Sequence, residues 1–126
     1  MTILIIDDDA DIRFIAGMSL SRVGSMKVLE AAGGAEGMRI AREQQPDAIL
    51  LDMMMPGMDG SQTLAALRAQ LETATIPVIF LTAKTIEAEV ERMKALGAAG
   101  VLIKPFNPRT LADDVRALLP AGLAGD

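Results

Sequence analysis

The sequence predicts an α/β fold in which a five-stranded parallel sheet is covered by helices on both faces. Short, continuous aliphatic runs recur along the chain, as expected for strands that are buried on both faces. Each run is followed by a longer amphipathic segment with helical periodicity. This alternation requires right-handed crossovers between parallel strands. With 126 residues, the chain has room for one such domain.

The aliphatic runs define the predicted strands. The first run, ILII, and the third, AILL, contain no polar residue, whereas the second is weaker and interrupted by charge. Strands in a parallel sheet have this near-continuous hydrophobic character because helices cover both of its faces. The predicted strands are residues 3–6, 26–30, 48–51, 77–81 and 101–103.

Glycine and proline residues delimit the predicted helices. Gly24 and Gly97 end the first and the fourth helix, and Pro46 stops the second. Asn107 is the predicted N-cap of the last helix, with Pro108 in its first position. The predicted helices are residues 11–23, 35–44, 61–71, 85–96 and 108–119, followed by a tail at 120–126. The face of the first helix that we expect to be buried comprises Ile12, Ile15, Ala16, Leu20 and Val23.

The composition excludes several kinds of site. The chain has no Cys and no His, so disulfides, thiolate or imidazole metal sites and Ser-His-Asp catalysis are excluded. The net charge is −5 and the Lys and Arg residues are scattered, which disfavours direct nucleic-acid binding. No apolar run approaches a membrane span, and the opening MTILII is too short for a signal peptide. We therefore expect a soluble, cytoplasmic protein.

Polar residues follow four of the five predicted strands. Asp7 and Asp8 follow the first strand, Asp52 the third, Thr82 the fourth and Lys104 the fifth. Ligands of such sheets bind at the carboxyl ends of the strands, so these groups converge on one pocket if the strands are neighbours. Two carboxylates about 4 Å apart repel each other by about 4 kcal/mol at an effective dielectric constant near 20. The oxygen ligands predict Mg²⁺, and the Lys and Thr suit a phosphoryl group.

Four motifs in a fixed order identify a family. They are the acidic pair after the first strand, the Asp in ILLDMMMPGMDG, the Thr-Ala after PVIF and the Lys-Pro in IKPF. Over residues 1–119 the chain resembles the receiver domains of bacterial two-component response regulators. The resemblance implies a flavodoxin-like, doubly wound (βα)5 sandwich with the strand order 2-1-3-4-5. Residues 120–126 would be a short tail without an output domain, which leaves open a stand-alone regulator and a piece of a longer protein.

The resemblance assigns the acceptor and the metal ligands. Asp52 would be the phosphoacceptor, forming an acyl phosphate. Asp7, Asp8 and Asp52, together with the backbone carbonyl of Met54, would bind Mg²⁺. The phosphodonor would be a histidine kinase or a histidine phosphotransferase.

The resemblance also implies a set of switch residues. Lys104 would pair with Asp52 at rest and with a phosphoryl oxygen afterwards, and Thr82 would donate its hydroxyl to another phosphoryl oxygen. Ala83 is small enough to let its loop approach, and the bond before Pro105 should be cis. The loop after the fourth strand and the fourth helix would then shift and change partner binding, through the fourth helix, fifth strand and fifth helix.

The sequence departs from the family pattern in the fifth strand. Many receivers have Tyr or Phe at the position of Val101, where the ring moves together with the switch hydroxyl. Val101 has no ring, so the usual aromatic readout is not expected, and the signal would leave through the loop after the fourth strand or through the fourth helix.

Two pairs of residues have possible secondary roles. Met54 and Lys84, two residues after the acceptor and after the switch threonine, are long enough to shield an acyl phosphate from water, which predicts slow self-dephosphorylation. Phe14 and Met18 lie one helical turn apart on the first helix. They either pack locally or form an exposed apolar surface where a kinase or phosphotransferase docks.

The remaining acidic and sulfur-containing residues have structural explanations. Asp9 and Asp11 are predicted as helix-capping or solvated loop residues, Asp59 as a turn residue, and the run 53–55 as loop packing rather than a metal site.

Three other functions compete with the phosphorylated switch. The first is an interaction module with the same fold that works without phosphate. The second is an aspartate-based phosphatase of the haloacid dehalogenase type, which is disfavoured because Met54 stands where a second Asp would act as general acid. A flavin carrier is disfavoured because the chain lacks a Ser/Thr-rich phosphate loop and a stacking aromatic.

Overall fold

Five parallel strands form one sheet in the order β2-β1-β3-β4-β5. The computed structural model describes residues 1–83 and 87–120. The strand order is the one implied by the family resemblance. The strands are β1 (Thr2–Ile6), β2 (Lys27–Ala31), β3 (Ala48–Asp52), β4 (Val78–Thr82) and β5 (Gly100–Ile103).

A helix follows each strand. The helices are α1 (Ala10–Met18), which continues as a π-helical turn at Ser19–Val23, α2 (Gly34–Gln44), α3 (Gly60–Arg68), α4 (Glu87–Ala95) and α5 (Leu111–Leu118). No helix of residues 1–83 and 87–120 is long and apolar enough to cross a membrane.

The sheet separates two hydrophobic cores. Successive strand residues point to opposite faces, so Leu4 and Ile6 join one core while Ile3 and Ile5 join the other. The first core is closed by residues of α2, α3 and α4, and the second by residues of α1 and α5. Every residue of the central strand β3 is buried, which explains its uninterrupted AILL run.

Two of the predicted helix boundaries are wrong. The third helix ends at Arg68 rather than at 71, because the buried Thr73 hydroxyl donates to the Leu67 carbonyl at 2.6 Å and closes a turn there. The fifth helix begins at Leu111 rather than at 108. Asn107 accepts a hydrogen bond from the Arg109 backbone N–H at 2.9 Å, so it caps a turn that precedes the helix.

The predicted buried face of the first helix is partly wrong. Ala16 and Leu20 are buried, but Ile15 is 43% exposed and Val23 is 61% exposed. The π-helical turn after Met18 explains the exposure of Val23, because it adds a residue to the turn and rotates the following side chains. Ile15 precedes Ala16 and Gly17, which are the buried residues of α1, and therefore lies at the edge of the buried stripe.

Candidate functional site

Three carboxylates meet at the carboxyl ends of β1 and β3. One carboxylate oxygen each of Asp7, Asp8 and Asp52 lies within 4.8 Å of the other two. Asp7 and Asp52 are 1% and 4% exposed, whereas Asp8 is exposed to solvent. The parallel pairing of Ile6 with Leu51 brings the two strand ends side by side. The convergence predicted from the strand order is therefore present.

Lys104 bridges the two buried carboxylates. Its ammonium lies 3.2 Å from Oδ2 of Asp7 and 3.2 Å from Oδ1 of Asp52. The Lys104 backbone N–H donates to the Thr82 carbonyl at 2.7 Å, which extends the pairing of β4 with β5 as far as the site. The peptide bond between Lys104 and Pro105 is cis, as expected.

Within the part of the chain that the structure describes, the charges of the site are not balanced, because one ammonium faces three carboxylates. Burial and the nearby charge of Asp7 raise the pKa of Asp52 to about 6, against the opposing effects of the Met54 N–H and Lys104. Burial disfavours the charged form of Lys104, but the Asp52 and Asp7 carboxylates outweigh this effect and raise the pKa of Lys104. The site therefore attracts a further positive charge.

The donor set fits a hard divalent cation. Oδ2 of Asp7 is buried and, among residues 1–83 and 87–120, has the ion pair with Lys104 but no well-directed hydrogen bond. Its other oxygen, Oδ1, accepts the Asp9 backbone N–H at 2.8 Å. Asp8 offers an accessible carboxylate at the rim. Oxygen ligands, partial exposure to water and net negative charge are the features that favour Mg²⁺.

The loop after β3 is held close to Asp52. The Met54 backbone N–H donates to Oδ1 of Asp52 at 3.2 Å, and the Gly60 N–H donates to the Met53 carbonyl at 3.0 Å. A side chain at position 60 would place its Cβ 2.7 Å from the Asp52 carbonyl oxygen, so only glycine lets α3 start this close to β3. This loop therefore orients both the Asp52 carboxylate and the Met54 backbone.

The methionine run packs as predicted, with one exception at the site. Met53 and Met55 are buried, whereas Met54 is 63% exposed. Met54 borders a cavity of about 370 Å³ between the β3–α3 loop and α4. The other residues that line this cavity are Met53, Asp59, Ser61, Glu89, Arg92, Met93 and Leu96.

The predicted switch residues lie on β4, on β5 and in the bend after β4. Thr82 is buried and pairs with Ile103, the residue before Lys104, while Ala83 is exposed in the bend. Val101 is partly buried and packs against the core that α2, α3 and α4 close. Lys84 lies outside the described residues.

Phe14 and Met18 share a surface on α1. Both line a cavity of about 310 Å³ that also contacts Val28 and Glu30 of β2. Phe14 is 65% exposed and Met18 is partly buried. The pair is therefore not part of the core, in agreement with its predicted position off the buried face.

The structure confirms one predicted helix cap and shows two structural roles that were not predicted. Asp9 is the N-cap of α1, as expected. Asp59, predicted only as a turn residue, forms a capping box with Gln62 at α3, and its Asp-x-x-Gln spacing is the signal that predicts one.

Arg13 donates from Nη1 to the Asp7 carbonyl at 2.6 Å. No local pattern signals this contact, since it depends on how α1 lies against β1.

Comparison with known families decides the identity. The family described as the response regulator receiver domain matches residues 3–116 of the chain. The chain belongs to the response regulator receiver domain family. Receiver domains are regulatory parts of two-component signalling systems rather than classical enzymes, and histidine kinases phosphorylate them. They generally bind Mg²⁺ at an acidic pocket, and the Asp7, Asp8 and Asp52 cluster corresponds to such a pocket.

Individual relatives agree with this assignment. The receiver is 37% identical over 117 residues to protein PilH of Pseudomonas aeruginosa, with 93% of this chain and 96% of PilH covered. It is 38% identical to the transcriptional regulatory protein AfsQ1 of Streptomyces coelicolor, and it spans 52% of that protein's length. The solved structure of the Vibrio cholerae chemotaxis protein CheY4 superimposes with a TM-score of 0.86 at 34% identity, covering 94% of this chain and 98% of CheY4. The receiver thus spans about half of one of these relatives and nearly all of the other two.

Proposed function

We propose that this receiver is a phosphorylated switch in which Asp52 accepts a phosphoryl group from a histidine kinase or a histidine phosphotransferase. The observation that carries the proposal is the position of Lys104, whose ammonium bridges Asp52 and Asp7 at 3.2 Å from each. A lysine that bridges two members of a cluster of three carboxylates is suited to pair with a phosphoryl group, which adds about 1.5 to 2 negative charges. In this proposal the switch occupies residues 1–119 and works in the cytoplasm.

The chain's own groups divide the chemistry between them. An oxygen of the ionised Asp52 attacks phosphorus, the P–O bond of an acyl phosphate forms, and the bond from phosphorus to the donor nitrogen breaks with its electron pair. Asp7 and Asp8, with Asp52 and the Met54 carbonyl, would hold Mg²⁺. When bound, Mg²⁺ supplies positive charge that offsets the repulsion between the carboxylates and the phosphoryl oxygens.

The same side chains would then transmit the event. Lys104 transfers its ion pair from Asp52 to a phosphoryl oxygen, and the Thr82 hydroxyl donates to another, with Ala83 small enough to let the bend approach. These movements displace the segment that leads from β4 to α4. Met93 is the only buried residue of α4, so few packing contacts oppose its displacement. The output partner would bind the face formed by α4, β5 and α5, where Leu96 and Ile103 are exposed.

The test is the intact mass of the protein after incubation with Mg²⁺ and acetyl phosphate. We expect one phosphoryl adduct in the wild type, none in Asp52→Asn and none when EDTA replaces Mg²⁺. Asp9→Asn is the matched control, because it removes a neighbouring carboxylate but keeps a side chain that can cap α1, and it should be labelled like the wild type. No adduct under conditions that label a known receiver would contradict the proposal and favour an interaction module that works without phosphate.

A further inference from the structure

Arg13 connects α1 to the backbone of the acidic pocket. Its Nη1 donates to the Asp7 carbonyl at 2.6 Å, and its Nε lies 3.5 Å from Oε1 of Glu30 on β2. The Arg13 side chain is only 18% exposed, although the residue lies in the first turns of a surface helix. A planar guanidinium can hold two acceptors in a fixed relative orientation, which a lysine ammonium does not.

Among residues 1–83 and 87–120, no backbone N–H of the sheet donates to the Asp7 carbonyl. The pairing of β1 with β2 ends at Ile6 and Ala31, and the last bond across it is the Asp7 N–H to the Ala31 carbonyl at 3.1 Å. The carbonyl of Asp7 lies past that point, in a residue that is 1% exposed. Buried backbone carbonyls need a donor, and Arg13 provides it.

This carbonyl belongs to the peptide group that joins Asp7 to Asp8. The direction of the peptide group determines where the Asp8 backbone starts, and therefore where its exposed carboxylate can lie relative to those of Asp7 and Asp52. Asp7 is held at its N–H by β2 and at Oδ1 by the Asp9 N–H. Arg13 holds the Asp7 carbonyl, which is the acceptor of this peptide group.

Glu30 orients the guanidinium. Its side chain is 49% exposed, and such an ion pair contributes little stability by itself. Its contribution is geometric, since the ion pair keeps Nε within 3.5 Å of the Glu30 carboxylate while Nη1 of the same planar group donates to the Asp7 carbonyl.

We propose that Arg13, oriented by Glu30, is a positioning residue that sets the Asp7–Asp8 junction for binding of a divalent cation. The inference rests on the proposed function, because it requires the acidic pocket to be a cation site. Groups that orient metal ligands typically change metal affinity 10- to 100-fold when they are removed. Since Arg13 contacts a ligand's backbone rather than its carboxylate, we expect the lower end of this range.

The sign of the effect separates positioning from charge. Arg13→Met removes a positive charge close to three carboxylates, so Coulomb attraction alone would make cation binding tighter. Loss of positioning would make it about tenfold weaker. Arg13→Lys keeps the charge, but a lysine ammonium does not hold two acceptors in a fixed relative orientation. The cation affinity of this variant should lie between those of the wild type and Arg13→Met. Arg39→Met is the matched control, because Arg39 pairs with Glu43 on α2 and makes no contact with the acidic pocket among the described residues.

The experiment is isothermal titration of the whole chain with Mn²⁺ and with Mg²⁺ at constant ionic strength, with circular dichroism of every variant. We expect weaker binding in Arg13→Met, an intermediate value in Arg13→Lys, and the wild-type value in Arg39→Met. Unchanged or tighter binding in Arg13→Met overturns the inference. If Arg13→Met does not fold, wild-type affinity in Arg13→Lys overturns it instead. The cation site itself, and this inference with it, would be overturned if the wild type shows no saturable binding. Saturable binding that persists in Asp8→Asn would overturn both as well.

Discussion

The ammonium of Lys104 lies 3.2 Å from Oδ1 of Asp52, although the two residues are 52 positions apart in the chain. Asp52 is the last residue of β3 and Lys104 follows β5, and the bond between them exists because β3, β4 and β5 are consecutive neighbours. The same ammonium lies 3.2 Å from Oδ2 of Asp7, the residue after β1. One side chain thus connects groups from β1, β3 and β5 at a single edge of the sheet.

Removing this bridge should destabilise the protein. We expect Lys104→Met, without metal at pH 7.5, to lower the free energy of unfolding by about 1–3 kcal/mol, because two buried carboxylates lose their counter-charge. The loss should shrink near pH 4, where Asp52 is protonated in the folded protein. Urea unfolding at both pH values measures it. Lys94→Met is the control, because Lys94 is exposed and pairs only loosely with Glu91 at 3.8 Å; an equal effect in both variants would contradict the bridging role.

Replacing the acceptor should have the opposite effect on stability. The pKa of Asp52 is raised from 3.8 to about 6 in the folded protein. The folded state therefore binds the proton more tightly than the unfolded state, and ionisation of Asp52 penalises folding above about pH 6. We expect Asp52→Asn to raise the free energy of unfolding by about 1–3 kcal/mol at pH 7.5 in EDTA. The gain should fade between pH 6 and pH 4, and a gain independent of pH would disprove this explanation.

The exposed Met54 should protect the phosphorylated state. Its side chain is 63% exposed beside Asp52, and we expect Met54→Asn to shorten the lifetime of the acyl phosphate because a polar, shorter residue admits and orients water. Combining it with Lys84→Glu should shorten the lifetime further. Loss of the phosphoryl adduct with time, followed by mass spectrometry, provides the measurement. Met54→Leu keeps the apolar bulk and should leave the lifetime unchanged; an unchanged lifetime in Met54→Asn would refute shielding.

The surface around Phe14 should contribute to phosphotransfer from protein phosphodonors but not from small-molecule phosphodonors. Phe14 is 65% exposed and borders the cavity that also contacts Met18, Val28 and Glu30. We expect Phe14→Ala to slow phosphotransfer from a histidine phosphotransferase or kinase about tenfold, in the range of an interface anchor, and to leave phosphorylation by acetyl phosphate unchanged. Equal slowing of both reactions would argue against docking at this surface. Val23→Ala is the control, because Val23 is similarly exposed, at 61%, and does not line the cavity.

Val101 is the position from which output can be altered without changing the acceptor. It is partly buried against the core that α4 helps to close, so a larger ring there must compete with α4 for space or turn towards the exposed face of β5. We expect Val101→Tyr to change the affinity for an output partner in one phosphorylation state and not in the other. Binding of the partner to the phosphorylated and unphosphorylated protein measures this. No change in either state would show that this position does not participate in output.

The sequence by itself determined the elements and the pocket in outline. Uninterrupted aliphatic runs such as that of β3 indicate burial on both faces. Because parallel strands end at one edge of the sheet, Asp7, Asp8, Asp52 and Lys104 were expected to meet there if their strands are neighbours. These are statements about periodicity and connectivity, and both are local properties of a chain. The strand order itself came from the family resemblance, since periodicity does not distinguish one neighbour from another.

The tertiary structure alone decided what depends on contacts between distant residues. The Thr73 hydroxyl closes a turn after Arg68, and the π-helical turn at Ser19–Val23 exposes Val23, so the element bounds and the buried face of α1 departed from their periodic patterns. Arg13 reaches the Asp7 carbonyl because α1 lies beside the end of β1. A hydrogen bond of this kind depends on a few tenths of an ångström and on the direction of one carbonyl, and no spacing of residue types along the chain encodes either.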